Sequence, residues 1–411
     1  MRRLNVALDF GGGTDPIPVG TMAWDRRRRS AALQWNQSFA GRPLPISPLM
    51  VKNHAGLLQP KGRAFGGLPG VLGDSLPDGW GLLLMDREIA ARGQSLADIT
   101  DLDRLSMVGR MGMGALTYQP EASTDQDDAV DLSWFERTVP GVEGGATADE
   151  LERLRSISGG SQGARPKFVA LLGPDGASLI SHRQAWRAGW RHILIKRRAV
   201  TDPAGSVEAE LAYAAMAKAA GIDMAWTGLL SSTSGEAYFA TERFDRRDAT
   251  RLHMQTVAGL LEVDFRTATM DYGDLLKVVA HMTRNAQATE RMYRRMVFNA
   301  RAMNRDDHLK NHAFLMDRSG AWSLAPAYDV SFSRGPGGEQ TLTVAGEGRR
   351  PGATHLAEVA RGAGLKPAKA TQIVDEVDAA ISRWGEFAQE AAVPPTLRRE
   401  IASELRRAAD W

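Results

Sequence analysis

Asn304-Arg305-Asp306-Asp307-His308-Leu309-Lys310-Asn311 is the stretch on which the reading of this chain turns. It places a carboxylate, Asp306, ahead of a carboxamide, Asn311, in an Asp-x4-Asn arrangement, and a second carboxylate, Asp329, follows in Tyr328-Asp329-Val330. Transfer of a phosphoryl group from ATP needs a carboxylate beside the acceptor hydroxyl. It also needs an amide oxygen and another carboxylate to hold magnesium against the phosphates. All three groups are present, with the spacing that protein kinases keep between catalytic Asp and metal-binding Asn. Alone, the octapeptide reads equally well as a polar helix-to-loop junction.

The parts upstream change that balance. Ser158-Gly159-Gly160-Ser161-Gln162-Gly163 lies between the helix-patterned LERLRS and the strand-patterned KFVALL, where backbone N–H groups could cover phosphates. Lys196 ends the apolar run HILIK, and its ammonium would pair with phosphate oxygens. Glu210, on the next predicted helix, could hold that lysine. Singly these read as a hairpin loop, a water-facing lysine and a solvated helix face. In chain order, glycine loop, strand Lys, helix Glu, catalytic Asp, Asn and second Asp form the plan of a kinase.

Composition sets the frame. With 411 residues, 43% of them hydrophobic, the chain can bury two or three cores. A net charge of +2 offers no general pull toward nucleic acid or membrane. The absence of cysteine excludes disulfides, thiol catalysis and thiolate metal sites. The start MRRLNVALDFGGGT lacks the pattern of a signal peptide, and no apolar run approaches the ~20 residues that cross a bilayer. A soluble protein of the reducing cytoplasm is expected, with no membrane partner.

Periodicity predicts an N-terminal mixed α/β domain over 1–120, an acidic and glycine-containing linker over 121–150, a sheet-bearing lobe over 151–246 and a helical lobe over 247–411. The expected fold class is α+β: the N-terminal domain, then a two-lobed, protein-kinase-like body with a mostly helical C-terminal lobe.

The sequence also resembles the HipA family, bacterial serine/threonine kinases that are the toxins of two-gene toxin–antitoxin systems. The likeness rests on GDSLPDGWG at 73–81, RLSMVGRMGMGALTYQP at 104–120, SISGGSQGARPK, the strand ending in Lys196, ATERFDRR at 240–247, RLHMQ at 251–255, NRDDHLKNHAFL and LAPAYDVS. It implies Asp306 as the catalytic carboxylate, Asn311 and Asp329 as magnesium ligands, and Lys196 as the phosphate-pairing lysine. It places Glu242 and Phe244 along the adenine pocket, and His308 and Lys310 beside the phosphates. ATP and magnesium are thereby the implied cofactors. The resemblance further implies self-phosphorylation of a glycine-loop serine, Ser158 or else Ser156, which would expel the loop by like-charge repulsion with ATP. The loop departs from the best-known family pattern, with extra residues before Lys167. A translation component such as an aminoacyl-tRNA synthetase is the implied protein substrate. The implied partner is a small helix-turn-helix, HipB-like antitoxin, through which operator DNA is mainly reached. A catalytically weak corepressor that binds the antitoxin and a small-molecule kinase are the alternatives.

Four other features compete. Asp9-Phe10-Gly11-Gly12-Gly13-Thr14 is similar to the first phosphate loop of sugar kinases and actin-like ATPases, but lacks that fold's later motifs and is expected to be a turn. His308 and His312 could share a metal, but no HExxH arrangement accompanies them. Arg26 to Arg29 read as a solvated hairpin tip. The helix bearing Leu397, Ile401 and Leu405 reads as a docked terminal helix.

Overall fold

Leu4, Val6 and Leu8 are buried and alternate with more exposed neighbours along the strand Arg3–Leu8, the period-two signature of a sheet with one face on a core. The strand pairs antiparallel with Ile17–Asp25 and with Leu116–Gln119. Ser30–Trp35 and then Leu57–Leu58 extend the sheet beyond Ile17–Asp25. In the turn after the first strand, Gly11 and Gly12 take φ near +64°, a left-handed conformation that side chains resist. Their amides are committed: Gly11 N–H donates to Asp9 Oδ1 at 2.8 Å and Gly12 N–H to the Ala249 carbonyl at 2.9 Å. Donors so engaged cannot cradle a phosphate, so this segment is a turn. Arg26 to Arg29 form the exposed tip of the next hairpin.

The computed structural model describes residues 3–122 and 130–411. Packing divides the chain into two units. The first comprises Met1–Ala199, Leu230–Asp264 and Leu315–Ala321; the second comprises Val200–Leu229, Phe265–Phe314 and Trp322–Trp411.

Besides the N-terminal sheet, the first unit holds the helix Gly79–Ala91 and the helix Ala148–Ser158. It also holds four strands side by side in the order Leu179–Ser181, Lys167–Leu172, Arg191–Lys196, Ala237–Glu242, each antiparallel to its neighbour. The expected linker differs from its composition-based reading. Residues 123–129 lie outside the described part, but Leu132–Thr138 is a helix, capped by Asp131. Its Phe135 is fully buried, 4.6 Å from the Phe168 ring and 6.4 Å from Tyr238. One aromatic anchor outweighs a polar local composition.

In the second unit, the helix Ser206–Ala219 is buried on most sides. Its Tyr213 meets Phe298 and Trp384 edge-on and donates to the Ala302 carbonyl at 2.8 Å. Around it are the helices Tyr272–Thr283, Ala286–Arg301, Ala353–Gly362, Pro367–Ser382 and Trp384–Glu390. The helix Pro395–Ala409 docks through Leu397, Ile401 and Leu405, as expected, and Arg301 donates to the Ala408 carbonyl at its end. The chain is thus α+β, with sheets concentrated ahead of helices. Among the described residues no helix is long and apolar enough to cross a membrane.

Candidate active site

The helix Ala286–Arg301 ends at Ala302, and the chain turns through Met303 at φ +54° into residues 304–308, which belong to no regular helix. Without a helical ladder, this segment is held by side chains. Asn304, 3% exposed, donates from Nδ2 to Asn299 Oδ1 at 3.0 Å, and Thr341 Oγ1 donates to the Arg305 carbonyl at 3.0 Å. The guanidinium of Arg305 bonds to the Gly338 and Arg349 carbonyls. Adjacent side chains in such an extended segment point opposite ways. Asp306 faces outward with its side chain 61% exposed, and Asp307 faces inward at 1%.

Asn311 closes the segment. Its Nδ2 donates to the Asp306 backbone carbonyl at 2.6 Å, which leaves its Oδ1 as the end that can accept a cation. Tyr328 donates its hydroxyl to the Lys310 carbonyl at 2.6 Å, binding the turn that carries Asp329 to the residue beside Asn311. Asp329 sits at φ +55°, a strained position for a side-chain-bearing residue. Asp306 and Asn311 are therefore joined directly, and the second bond ties Tyr328, next to Asp329, to Lys310, next to Asn311. His308 lies with Nε2 3.9 Å from Asp306 Oδ1 and its ring 4.7 Å from Phe265. Lys310 is buried, its Nζ 5.0 Å from the same Phe265 ring.

The donor set suits magnesium. That ion is commonly held by one or two protein oxygens together with substrate phosphates rather than by a full protein cage. Asn311 and Asp329 offer that pair, and among the described residues no cluster of three or more His, Asp or Glu forms a rival site. His312 is no partner for His308 in a metal pair. It is 1% exposed with Nε2 3.3 Å from the Asp307 carbonyl, and burial pushes its pKa down to about 3.

The other candidates, Glu210 apart, belong to the first unit. Lys196, 5% exposed, ends its strand opposite Lys167 on one side and Phe239 on the other. Its ammonium lies 5.6 Å from the Phe239 ring. Glu242 ends the strand Ala237–Glu242 and pairs with Arg191 at 3.2 Å, with half-buried Phe244 just beyond. Glu210 lies in the second unit on Ser206–Ala219, and is buried.

The glycine-rich loop is shorter than expected, because the helix Ala148–Ser158 runs on past Ser156 and absorbs Ser158 before Gly159 ends it in the left-handed conformation. Ser158 is 2% exposed, its hydroxyl 2.8 Å from the Leu154 carbonyl and 3.1 Å from that of Lys167. Ser156 accepts from Arg183 Nε at 3.0 Å. Ser161 is equally buried, and its hydroxyl has no hydrogen-bond partner among the described residues. The loop is seated on GDSLPDGWG. Gln162 donates to the Asp74 carbonyl at 2.8 Å, Gly163 N–H donates to Asp78, and Trp80 N–H donates to the Gly163 carbonyl at 3.0 Å. Asp74, Asp78 and Trp80 as a loop seat were not apparent from sequence; two carboxylates flanked by glycines, next to a tryptophan, were the available signal. Asp307 was also missed as a participant, since nothing in Asp-Asp tells which carboxylate turns inward.

Comparison with known proteins follows the same lines. The HipA-like C-terminal domain family matches residues 159–384, and the HipA N-terminal domain family matches residues 14–119. A search of curated proteins gave no match. Among solved structures, the HipA of Shewanella oneidensis MR-1, determined with HipB and its operator DNA, superposes with a TM-score of 0.68 at 17% identity. That match covers 98% of this chain and 95% of the other. The Helicobacter pylori proinflammatory kinase CtkA gives a TM-score of 0.36 at 12% identity, over 55% of this chain and 93% of the other. With more than half of its length matched by the HipA-like C-terminal domain and most of the remainder by the HipA N-terminal domain, this chain belongs to the HipA family.

Proposed function

We propose that this protein is an ATP- and magnesium-dependent protein serine/threonine kinase, the toxin of a toxin–antitoxin pair acting in the cytoplasm. Its domains on this reading are the N-terminal α/β domain, a lobe bearing the glycine loop and Lys196, and a helical lobe bearing Asp306, Asn311 and Asp329. The observation that supports the reading is the pair of 2.6 Å hydrogen bonds that tie Asn311 to Asp306 and Tyr328, beside Asp329, to Lys310, beside Asn311. Asp306, outward and exposed, orients the acceptor hydroxyl and accepts its proton. Asn311 and Asp329 would hold magnesium, which neutralises phosphate charge when bound. Lys196, Lys310 and His308 contact phosphates, while Glu242 and Phe244 flank the adenine. The target is a translation component of the aminoacyl-tRNA synthetase class. The partner is a helix-turn-helix antitoxin, through which operator DNA is reached.

Self-modification falls on the glycine-rich loop. Phosphorylating Ser158 requires unwinding the last turn of its helix and breaking contacts to two carbonyls. Ser161 has neither tie, so we place it ahead of Ser158 and Ser156. Incubating the purified protein with radiolabelled ATP and magnesium should label it, with the phosphate mapping to Ser161. Asp306→Asn should lose at least about 10²-fold in labelling rate. An unlabelled wild type, or equal labelling in Asp306→Asn, removes the kinase reading. Labelling confined to Ser158 overturns the serine assignment alone.

A further inference from the structure

Behind the exposed Asp306 lies a buried polar network that the phosphotransfer chemistry itself does not use. Asp307 Oδ2 accepts the Tyr272 hydroxyl at 2.7 Å, while Oδ1 accepts the backbone N–H of Thr341 at 3.0 Å and of Leu342 at 3.3 Å. The Tyr272 oxygen in turn accepts from Asn299 Nδ2 at 2.8 Å, and Asn299 Oδ1 accepts from Asn304. Tyr272, Asn299, Asn304 and Asp307 are at most 3% exposed. Two separate elements thus meet at one carboxylate, the start of the helix Tyr272–Thr283 and the Thr341–Leu342 segment, and Tyr272 links them to the last turns of Ala286–Arg301.

We propose that Tyr272 is a positioning residue for Asp306, acting through Asp307; the proposal rests on the kinase reading above. The segment 304–308 has no regular helix or strand to fix it, so the place of the outward carboxylate depends on how its inward neighbour is anchored as well as on the Asn311 bond to its own carbonyl. Tyr272 is itself well anchored. It begins a helix whose N-cap, Asp271, accepts from Gly273 N–H at 2.8 Å and from Thr343 Oγ1 at 2.8 Å, and Met270–Asp271 pairs in parallel with Leu342–Thr343. The strand pair that holds the tyrosine therefore also presents the Leu342 amide to Asp307, with the Thr341 amide just ahead of it. Removing the phenol oxygen leaves a buried carboxylate oxygen and the Asn299 amide without this partner, and such groups move to find others. A displacement of about 1 Å at a reacting group is enough for an activity loss on the order of 10²-fold.

A merely structural role predicts something else: lower stability, and activity that tracks the folded fraction. The test compares wild type, Tyr272→Phe, Asp307→Asn and the double variant as full chains, at a temperature where each is folded. Tyr272→Phe should lower the kcat of self-labelling by about tenfold or more while the KM for ATP stays within about twofold. The double variant should be no worse than its weaker parent, because both changes cut the same link. Amide exchange should accelerate about tenfold in the peptide covering 302–312 while the helix Pro395–Ala409 keeps its protection. Unchanged exchange at 302–312, acceleration spread evenly over the second unit, or a kcat equal to wild type overturns the proposal. If wild type and Asp306→Asn are alike inactive, the kinase reading fails; the exchange measurement then still decides the anchoring.

Discussion

Asp307 shows how burial can give one carboxylate a pH signature of its own. Burial pushes its pKa up from 3.8 to about 7, outweighing the donors from Tyr272, Leu342 and Thr341. A pKa raised in the folded state means that the proton binds the fold more tightly than the unfolded chain. The associated stability is therefore full below pH 3.8 and is lost as pH rises through about 7. From pH 5 to pH 8 the wild type should lose roughly 3 kcal/mol relative to Asp307→Asn, which has no proton to release. Urea unfolding at the two pH values measures this directly, and parallel behaviour of the two proteins would contradict it. Spacing in the sequence pointed to Asp306 and Asn311 as candidates. It was silent on Asp307 because burial is decided by Tyr272 and Thr341, residues remote in the chain.

At the scale of elements, legibility followed local pattern and failed where a tertiary contact overrode it. The amphipathic stripe Leu397, Ile401, Leu405 was read correctly, because it repeats a period that backbone geometry enforces. The helix Leu132–Thr138 was read as part of a connector. Its acidic and glycine-containing surroundings dominate composition, while its place in the fold depends on Phe135 meeting Phe168 and Tyr238, residues 33 and 103 positions away by number (168 − 135 and 238 − 135). Similarly, Ser158 looked like a loop residue until the helix proved to run on through it to Gly159. Phe135→Ala should destabilise the first unit by about 3–5 kcal/mol, the usual cost of emptying a fully buried aromatic site. A connector helix of no structural weight would instead give a change under about 0.5 kcal/mol in denaturant titration.

Taken across the whole molecule, the buried titratable groups divide unequally between the two units, and acid should separate them. In the first unit burial lowers His253 to about 4, His182 to about 3 and His192 to about 4. For a histidine lowered in the fold the neutral form is preferred. Its stability is therefore present above the unfolded value near 6.5 and is lost as pH falls toward the folded pKa. Between pH 8 and pH 5 each such group removes roughly 2 kcal/mol, and Asp101, raised by burial, acts against them in that unit. The second unit holds His312, lowered to about 3, but also Asp307, raised to about 7, whose gain on acidification offsets the histidine's loss. Acidification should thus weaken the first unit by several kcal/mol and leave the second nearly level. Methionine oxidation by peroxide across a urea series reports each unit separately, since Met22 and Met85 are buried in the first and Met292 and Met296 in the second. The urea midpoint for Met22 and Met85 should fall markedly between pH 8 and pH 5, while that for Met292 and Met296 holds. His253→Gln should reduce the fall, and equal shifts at all four methionines would show that these buried groups do not govern the acid response.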